Sequence, residues 1–378
     1  MFRSGASLVW RVGLSWVVVM LAAVSGARAS SIVACTSAAS GSSRCYAEAV
    51  SGGTTSPTGL SPAQIKSAYN WPTKSTAGAG ETIAIVDARD DPSAEADLAA
   101  FDNQYGLPAC TTANGCFRKV DASGGTDYPP FDNGWAFEIS IDVQWAHAVA
   151  PGAKILLVEA KSSGNANLFA AEDYAKQHAQ YVSNSWGTHE FATESKNDSH
   201  FVQPGTTFFA ASGDRGVPAF YPSTSPDVVS VGGTQLNFDA AGGLLSETGW
   251  SEGGGGCSQY ELADPAQSNF AEYAQVGCAG QRATPDVAAD SAPASAVSVY
   301  DSNPFGGQTG NWFGAFGTSV ASPLWAGRTA DAGIIVNPSI IYSSALTFRD
   351  ITVGNNGAPC LVGFDLCSGR GSWIGAKP

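Results

Sequence analysis

The stretch FEISIDVQWAHAVAPGAKI, residues 137–155, holds two acids, Glu138 and Asp142, among mostly apolar neighbours. Its first half alternates apolar and polar residues, which is the period of a half-buried strand. The two acids are four residues apart, so their relation depends on whether the stretch is a strand or a helix. On a strand they lie about 13 Å apart along the chain. On a helix they are neighbours, with about 5–6 Å between their Cβ atoms.

The length of the uninterrupted run favours the helix. No Gly or Pro occurs from Trp135 until Pro151 and Gly152. This run is longer than a usual strand. Apolar residues within it also recur at a helical spacing, at Ile139, Val143, Ala146 and Ala150. The sequence therefore predicts a helix on which Glu138 and Asp142 form a pair.

Outward from this stretch, strand-like and helix-like patterns alternate. Strands are predicted in TIAIVDARDD, AKILLVEA, YVSNSWG, TTFFAASGD and VVSVGGTQL, and helices in AEADLAAFDNQYG and ANLFAAEDYAKQHA. This alternation is typical of βαβ units and a parallel sheet. Because reactive residues gather at the carboxyl ends of such strands, we expect the segments that end at Asp87, Trp186 and Asp214 to share one rim. The chain after residue 58 suffices for one large α/β domain, residues 59–378, and no linker or repeat divides it.

The N-terminal residues have the layout of a secretory signal. Arg3 and Arg11 precede an apolar run, which is followed by small residues that end in the tripeptide ARA at 27–29. We therefore expect a signal peptide at 1–29 and a secreted protein. A retained anchor is the less favoured alternative, since the apolar run is short for a membrane span. Residues 30–58 are rich in Ser, Gly, Thr and Ala, so we interpret them as a short leader.

The cysteines and the charge narrow the class of protein. Eight cysteines in an exported chain suggest disulfides, and local pairs are plausible for Cys35 with Cys45, Cys110 with Cys116, Cys257 with Cys278, and Cys360 with Cys367. No CxxC is present, so zinc is not favoured.

The net charge of −14 and the pI of about 4.6 argue against a nucleic acid or an anionic membrane as a partner.

A serine is the second candidate for chemistry, in NWFGAFGTSVASPLWAG, residues 311–327. Ser319 stands in Gly-Thr-Ser before a run of small and apolar residues. At the start of a helix, such a serine exposes its Oγ while its backbone N–H faces a developing oxyanion. Gly317 permits close approach of a backbone, and Pro323 is expected in the first helical turn. The tripeptide alone is common and carries little weight.

Several segments in order resemble the sedolisins, the serine-carboxyl peptidases of the subtilisin-like superfamily. They are HAVAPGAKI, VSNSWGTHE, FFAASGDRG, SETGWSEGGGGCS, ATPDVAADS and GTSVASP, and the resemblance runs from about residue 60 to 378. It implies an α/β, subtilisin-like three-layer fold with a central, mostly parallel sheet flanked by helices. The histidine of a subtilisin H-G-T motif is absent. The sedolisin E-x-x-x-D pattern is matched instead by Glu138 and Asp142.

The resemblance implies a serine endopeptidase that forms an acyl-enzyme on Ser319. Glu138 is then the general base, Asp142 orients it, and Asp214 belongs to the oxyanion hole. Two close carboxyls share a proton, and Asp214 must be protonated to donate a hydrogen bond, so an acidic optimum is expected. The implied partners are protein or peptide substrates, with no nucleic acid, no membrane after removal of the signal, and a monomeric state.

The resemblance also implies one structural calcium ion near the C-terminus. In FRDITVGNNGAPCLVGFDLCSGRGS, residues 348–372, the family's ligands correspond to the carboxylates of Asp350 and Asp365 and the carbonyls of Ile351, Leu361 and Gly363. Oxygen ligands suit calcium. The family often has Gly at the position of Leu361, which leaves the carbonyl available but changes the turn. A glycine-rich loop closed by a disulfide without metal is the alternative.

Two features depart from the family. Phe316 stands where small residues are common, and only the short leader separates the signal from the catalytic region, where the family typically has a large prodomain. Either this form folds without one or it is a divergent relative. The rival function is a catalytically idle, secreted binding protein on the same scaffold. A Ser-His-Asp esterase would need G-x-S-x-G, which does not surround Ser319.

Overall fold

The computed structural model describes residues 1–2, 31–36, 38–50, 52–306, 310–343 and 346–375. The predicted signal peptide at 1–29 lies almost wholly outside these residues. Within them, no helix combines the length and the apolar character that a membrane crossing requires. The signal peptide therefore remains a prediction from the sequence.

Seven α-helices lie in the described part of the chain: α1 Pro62–Tyr69, α2 Ala94–Tyr105, α3 Asn133–Val149, α4 Asn165–Ala175, α5 Pro265–Ser268, α6 Thr318–Ala332 and α7 Pro338–Ser343. Short 3₁₀ helices cover Glu194–Phe201, Tyr273–Val276 and Pro293–Ser295. The strands are β1 Ile32–Val33, β2 Arg44–Cys45, β3 Glu48–Ala49, β4 Thr82–Ala88, β5 Phe117–Asp121, β6 Lys154–Ala160, β7 Tyr181–Asn184, β8 Trp186–His189, β9 Thr207–Ala211, β10 Phe220–Tyr221, β11 Val229–Phe238, β12 Leu244–Gly249, β13 Gly256–Leu262, β14 Gln281–Thr284, β15 Val287–Asp290, β16 Val297–Tyr300, β17 Trp312–Phe316, β18 Phe348–Arg349 and β19 Ser372–Trp373.

A mostly parallel sheet forms the centre of the protein. Its strand order is β12-β11-β9-β7-β4-β6-β5, and β15 also pairs with β11. The pairs along this path are parallel except for β11 with β12. The reactive groups at the carboxyl ends of β4, β7 and β9 therefore meet at one edge, as the sequence predicted.

Helices cover both faces of this sheet. Alternate residues of β4 point to opposite faces, so Ile83 and Ile85 join one apolar core, with residues of α1, α2, α3 and α6. Ala84 and Val86 join a second core, with residues of α4. The result is helix, sheet and helix in three layers, which confirms the predicted three-layer α/β fold.

The stretch 137–155 contains the buried helix α3, followed by a turn and β6. The side chain of Asp132 accepts hydrogen bonds from the N–H groups of Gly134 and Trp135 and so caps the helix. The helix ends before Pro151, as predicted. Every residue from Gly134 to Val149 is buried, which fits a helix that packs on the sheet and on neighbouring helices all round. This arrangement confirms the helix and forces its two acids into the interior.

Two segments differ from the sequence-based interpretation. YVSNSWG was expected to form one strand, but it divides at Ser185 into β7 and β8, which belong to different sheets.

The segment 30–58 was interpreted as a leader, yet its described residues pack against the domain. In particular, β2 pairs with β8 and β3 pairs with β17. Two-residue strands leave no visible alternation in a sequence, so their partners could not be found from it.

All four suggested disulfides are present. They join Cys35 to Cys45, Cys110 to Cys116, Cys257 to Cys278, and Cys360 to Cys367. No cysteine is free. Local pairing was plausible from sequence because each bridge closes a short loop, of 6 to 21 residues in separation.

Candidate active site

The acids of α3 occupy one helical turn, and the solvent reaches neither of them. Glu138 and Asp142 are each 0% exposed. Glu138 Oε2 accepts a hydrogen bond from Ser319 Oγ at 2.8 Å, and Asp142 Oδ1 accepts one from Ser185 Oγ at 2.8 Å. Glu138 Oε1 and Asp142 Oδ2 have no hydrogen-bond donor among the described residues. Two buried carboxyls with one such oxygen each are suited to share a proton.

Ser319 is the second residue of α6. Gly317 precedes the helix with φ +121°, a conformation that favours glycine. Pro323 was expected in the first turn, but it lies within the helix, because the helix begins at Thr318. A proline cannot donate to the carbonyl four residues before it, which here belongs to Ser319. The Ser185 hydroxyl oxygen lies 3.3 Å from that carbonyl.

Asp214 follows β9 and faces the same end of α6. Its Oδ1 accepts hydrogen bonds from the backbone N–H and the hydroxyl of Thr318, at 2.8 and 2.7 Å. Its Oδ2 has no partner among the described residues. Burial raises the pKa of Asp214 to about 7, so the carboxyl is neutral in acid and can donate a hydrogen bond from Oδ2.

A third acid, Asp87, belongs to the same interior cluster. It lies on the face of β4 that carries Ile83 and Ile85, opposite α3. It is 0% exposed, and neither of its oxygens has a partner in the described part of the chain. Burial raises the pKa of Asp87 to about 8. The sequence placed Asp87 at the right rim but gave it no role.

Burial also raises the pKa of Glu138 and of Asp142 well above their usual values, and the nearby Asp87 carboxyl raises both further. Three carboxyls in a dry interior cannot all ionise together. In acid the cluster therefore keeps protons, and Glu138 can accept the proton of Ser319 only when Glu138 itself is ionised. The cluster titrates as a unit rather than as three separate acids.

The histidine of α3 lies away from this chemistry. His147 is also on α3, but its Nε2 lies 2.9 Å from the carbonyl of Pro108 and 3.4 Å from Asp102. Burial lowers the pKa of His147 to about 4. It is a buried, neutral side chain at moderate pH, as the sequence indicated when it assigned no catalytic histidine.

The chain is similar to several known proteins. A model of the subtilase family matches residues 130–352. The chain is 30% identical to kumamolisin of Bacillus sp. (strain MN-32) and 27% identical to sedolisin of Pseudomonas sp. (strain 101), over 85% and 79% of its own length. The solved structure of Pseudomonas sedolisin, a serine-carboxyl proteinase in complex with pseudo-iodotyrostatin, superposes with a TM-score of 0.70 at 26% identity, over 84% of this chain and 96% of that one.

The chain belongs to the subtilase family, among its sedolisins. It spans 63% of the length of kumamolisin and 56% of that of sedolisin. The residues predicted from the sedolisin pattern, Glu138, Asp142, Asp214 and Ser319, are the ones that the fold brings together. Ser185 and Thr318 were not predicted. Both lie next to motif residues, in SNSWG and GTS, and this proximity was the signal that could have identified them.

The segment that was predicted to bind calcium brings its two aspartates to one loop. Asp350 Oδ2 accepts a hydrogen bond from the N–H of Gly363 at 2.9 Å, and Asp365 Oδ2 accepts one from the N–H of Leu361 at 2.6 Å. Two carboxyls thus meet at one turn. The non-glycine residues with positive φ in the described part of the chain do not include Leu361, so a leucine fits this position without strain. Gly363, in contrast, has φ +81°, a conformation that favours glycine. Ile351 is buried beside the Cys360–Cys367 bridge.

Proposed function

We propose that this protein is a secreted, acid-active endopeptidase that hydrolyses peptide bonds through an acyl-enzyme on Ser319. The observation that carries the proposal is the 2.8 Å hydrogen bond from Ser319 Oγ to Glu138 Oε2. This distance lies within the range for direct proton transfer. The sedolisin relatives and the four disulfides support the same reading.

The chemistry follows from the positions of the protons. Ser319 Oγ attacks the substrate carbonyl carbon and passes its proton to Glu138, while Asp142 keeps Glu138 oriented. The carbonyl oxygen becomes negative and accepts hydrogen bonds from the neutral Asp214 carboxyl and the Ser319 N–H. Glu138 then returns the proton to the leaving amine. A water molecule hydrolyses the ester in the reverse sense, and Ser319 recovers its proton.

The test is hydrolysis of a denatured protein at pH about 3 to 5, with the Ser319→Ala variant as the matched control. Wild type should release peptides and the variant should not. Equal and negligible release by both would reject the enzyme in favour of the idle binding protein. That alternative is not favoured, because it gives no chemical reason for an acid dyad, a serine and a neutral acid to meet in one interior.

The Asp214→Asn variant should remain active at higher pH than wild type. Asp214 has a raised pKa, so its donating form is complete in acid and is lost as the pH rises through about 7. An asparagine amide donates at every pH. We expect less than about a tenfold loss of kcat/KM at low pH, against about 10²-fold or more for Asp214→Ala, which has no donor. The measurement is the pH profile of kcat/KM, and an unmoved alkaline limb in Asp214→Asn would assign that limb to the Glu138 dyad.

We also propose one structural calcium ion, held by the carboxylates of Asp350 and Asp365 and the carbonyls of Ile351, Leu361 and Gly363. All five ligands are oxygens, which is the set that calcium prefers. Asp365 is buried, and burial raises its pKa to about 6. A cation would remove this cost of burying the charge.

Chelation should therefore destabilise the protein. With calcium in 100-fold excess over its Kd, binding adds about 2.7 kcal/mol to the free energy of unfolding, and EDTA removes this contribution. The Asp350→Asn variant, measured by thermal unfolding with and without EDTA, should lose most of the difference. A melting temperature that does not respond to calcium in wild type would reject the site.

A further inference from the structure

Residues 46–49 lie along the candidate active site and show the course of a polypeptide chain there. The N–H groups of Tyr46 and Ala47 donate to Glu138 Oε2 at 2.9 and 2.8 Å. Ser319 Oγ donates to the same oxygen at 2.8 Å. In the proposed mechanism Glu138 returns a proton to the leaving amine, and the Ala47 nitrogen lies at that place. The residues from Ala47 onward therefore follow the leaving side, which is the part of a substrate that carries the new amine.

The edge of β17 holds this course beyond the serine. Glu48 pairs antiparallel with Phe316, and Ala49 pairs with Ala315. Addition of a strand to a sheet edge is a general way for a protein to hold an extended peptide. Side chains of directly paired residues lie on the same face of a sheet. The second residue on the leaving side, at the position of Glu48, therefore places its side chain beside the Phe316 ring.

A cavity of about 290 Å³ lies at this position, and we call it the Phe316 cavity. Phe316 and Trp250 form an aromatic wall, in which the rings pack edge-on with 6.1 Å between centroids. Glu48 and Val50 both line the cavity, as alternate residues of an extended chain do. Glu252 also lines it. The cavity thus joins an apolar wall to a carboxyl, beside the course of the leaving side.

The aromatic wall depends on a residue in which this chain departs from the sedolisins. Phe316 stands where small residues are common in that family. A small residue would leave Trp250 without its partner ring and would make the cavity wider and less apolar. The departure seen in the sequence therefore changes the surface that meets the leaving side of a substrate, and it does so three residues before Ser319.

The side chain that lies at this cavity in the structure has an unfavourable charge for it. Burial raises the pKa of Glu48, and the nearby Glu252 carboxyl raises it further. Arg44 and Arg215 act on Glu48 more weakly in the opposite sense, and neither lines the cavity. A basic side chain would suit the position better, because its stem can pack on the rings while its charged head lies over an aromatic face. Arginine suits it best, since its planar guanidinium stacks on aromatic rings.

We propose that the Phe316 cavity binds the side chain of the second residue on the leaving side and selects a long basic one, arginine before lysine. The proposal rests on the proposed peptidase function and adds a class of substrate to it. Phe316 is then a specificity-determining residue, because its ring contacts that side chain. A substrate and residues 46–49 cannot occupy the same course together, so a substrate binds when those residues do not lie there.

The first test compares peptides that differ only in that second residue, which is arginine, lysine, leucine, alanine or glutamate. At pH about 4 we expect kcat/KM for the arginine peptide to exceed that for the alanine peptide by about tenfold or more, with glutamate lowest. Equal values for all five peptides would overturn this inference and leave the peptidase function standing. Cleavage of none of them would overturn both.

Variants of the cavity separate its ring from its carboxyl. Phe316→Leu keeps most of the apolar volume without an aromatic face, so the preference for arginine over leucine should fall by about threefold or more. Glu252→Gln should lower the same ratio and leave the ratio of leucine to alanine unchanged. In both variants the preference for the residue before the cut bond should stay as in wild type. An arginine preference that survives Phe316→Leu in full would contradict the assignment of Phe316.

A second measurement needs no catalysis, because the chain itself can carry the predicted side chain. On a Ser319→Ala background, Glu48→Arg should melt about 2 °C or more above Glu48→Ala. Addition of Phe316→Leu should remove most of this difference, which makes a double-mutant cycle between the two positions. If Glu48→Arg is no more stable than Glu48→Ala, the cavity does not favour a basic side chain and the inference fails, whatever the peptides show.

Discussion

Replacement of Glu138 by glutamine should lower kcat/KM for peptide hydrolysis by about 10⁴- to 10⁶-fold. Glutamine has nearly the same size and can still accept hydrogen bonds from Tyr46, Ala47 and Ser319 through its carbonyl oxygen. It cannot take the Ser319 proton, so the nucleophile stays a neutral hydroxyl. The measurement is steady-state hydrolysis of a peptide substrate in acid by protein whose fold has been checked by its unfolding transition.

The pattern across variants identifies the role more sharply than one value. Ser319→Ala should cost about as much as Glu138→Gln, and the double variant should cost little more, because the two groups act in one step. Asp142→Asn should cost about 10- to 100-fold less than Glu138→Gln, since it orients the base without touching the serine. Retention of more than about 1% of activity by Glu138→Gln would contradict its role as the base.

Asp87 tests how far a neighbouring carboxyl sets the pKa of the dyad. Asp87→Asn removes one of the groups that raise the pKa of Glu138 and Asp142. The lowest pH at which Glu138 is ionised should therefore move to a lower value.

Asp87 could not be assigned from sequence because an acid at the end of an apolar strand is equally typical of a turn. Only the packing of α3 against one face of β4 shows that Asp87, on that face, points toward the dyad.

The other acids of the site could be predicted from the sequence. An E-x-x-x-D pair on a helix has a fixed geometry, and the ends of parallel strands meet at one edge, so local patterns were sufficient for Glu138, Asp142 and Asp214. The segment 44–49 had no such pattern. Its conformation depends on the edges at Gly187 and Phe316, which are distant in sequence. Its composition predicted a region without its own core, but not where that region binds.

The protein should be more stable in acid than at neutral pH, which reverses the usual order. Burial raises the pKa of several aspartates in its interior, among them Asp87 to about 8 and Asp91, Asp102, Asp214 and Asp301 to about 7. Their pKa in an unfolded chain is about 3.9. Between these values the folded state binds more protons than the unfolded state, so the free energy of unfolding falls as the pH rises.

The sign and the size both follow from this linkage. The contribution of each raised carboxyl is complete below pH about 4 and is lost as the pH rises through its folded pKa. Each pKa unit corresponds to about 1.36 kcal/mol, so the raised pKa values together lower the free energy of unfolding by several kcal/mol between pH 4 and 8. A net charge of −14 at pH 7 adds self-repulsion in the same direction. We expect the melting temperature to fall by about 10 °C or more over this interval.

Ser319→Ala is the background for this measurement, because it prevents digestion during unfolding. Thermal or urea unfolding at pH 4 and 8, at constant ionic strength and calcium, gives the difference in the free energy of unfolding. In Asp87→Asn on the same background, the difference should shrink by the share of Asp87, since asparagine does not titrate. A matched change at the exposed Asp127 should leave it unaltered. Stability that stays level or rises between pH 4 and 8 would mean that the interior carboxyls are ionised in the folded protein, and the acid optimum would then need another cause.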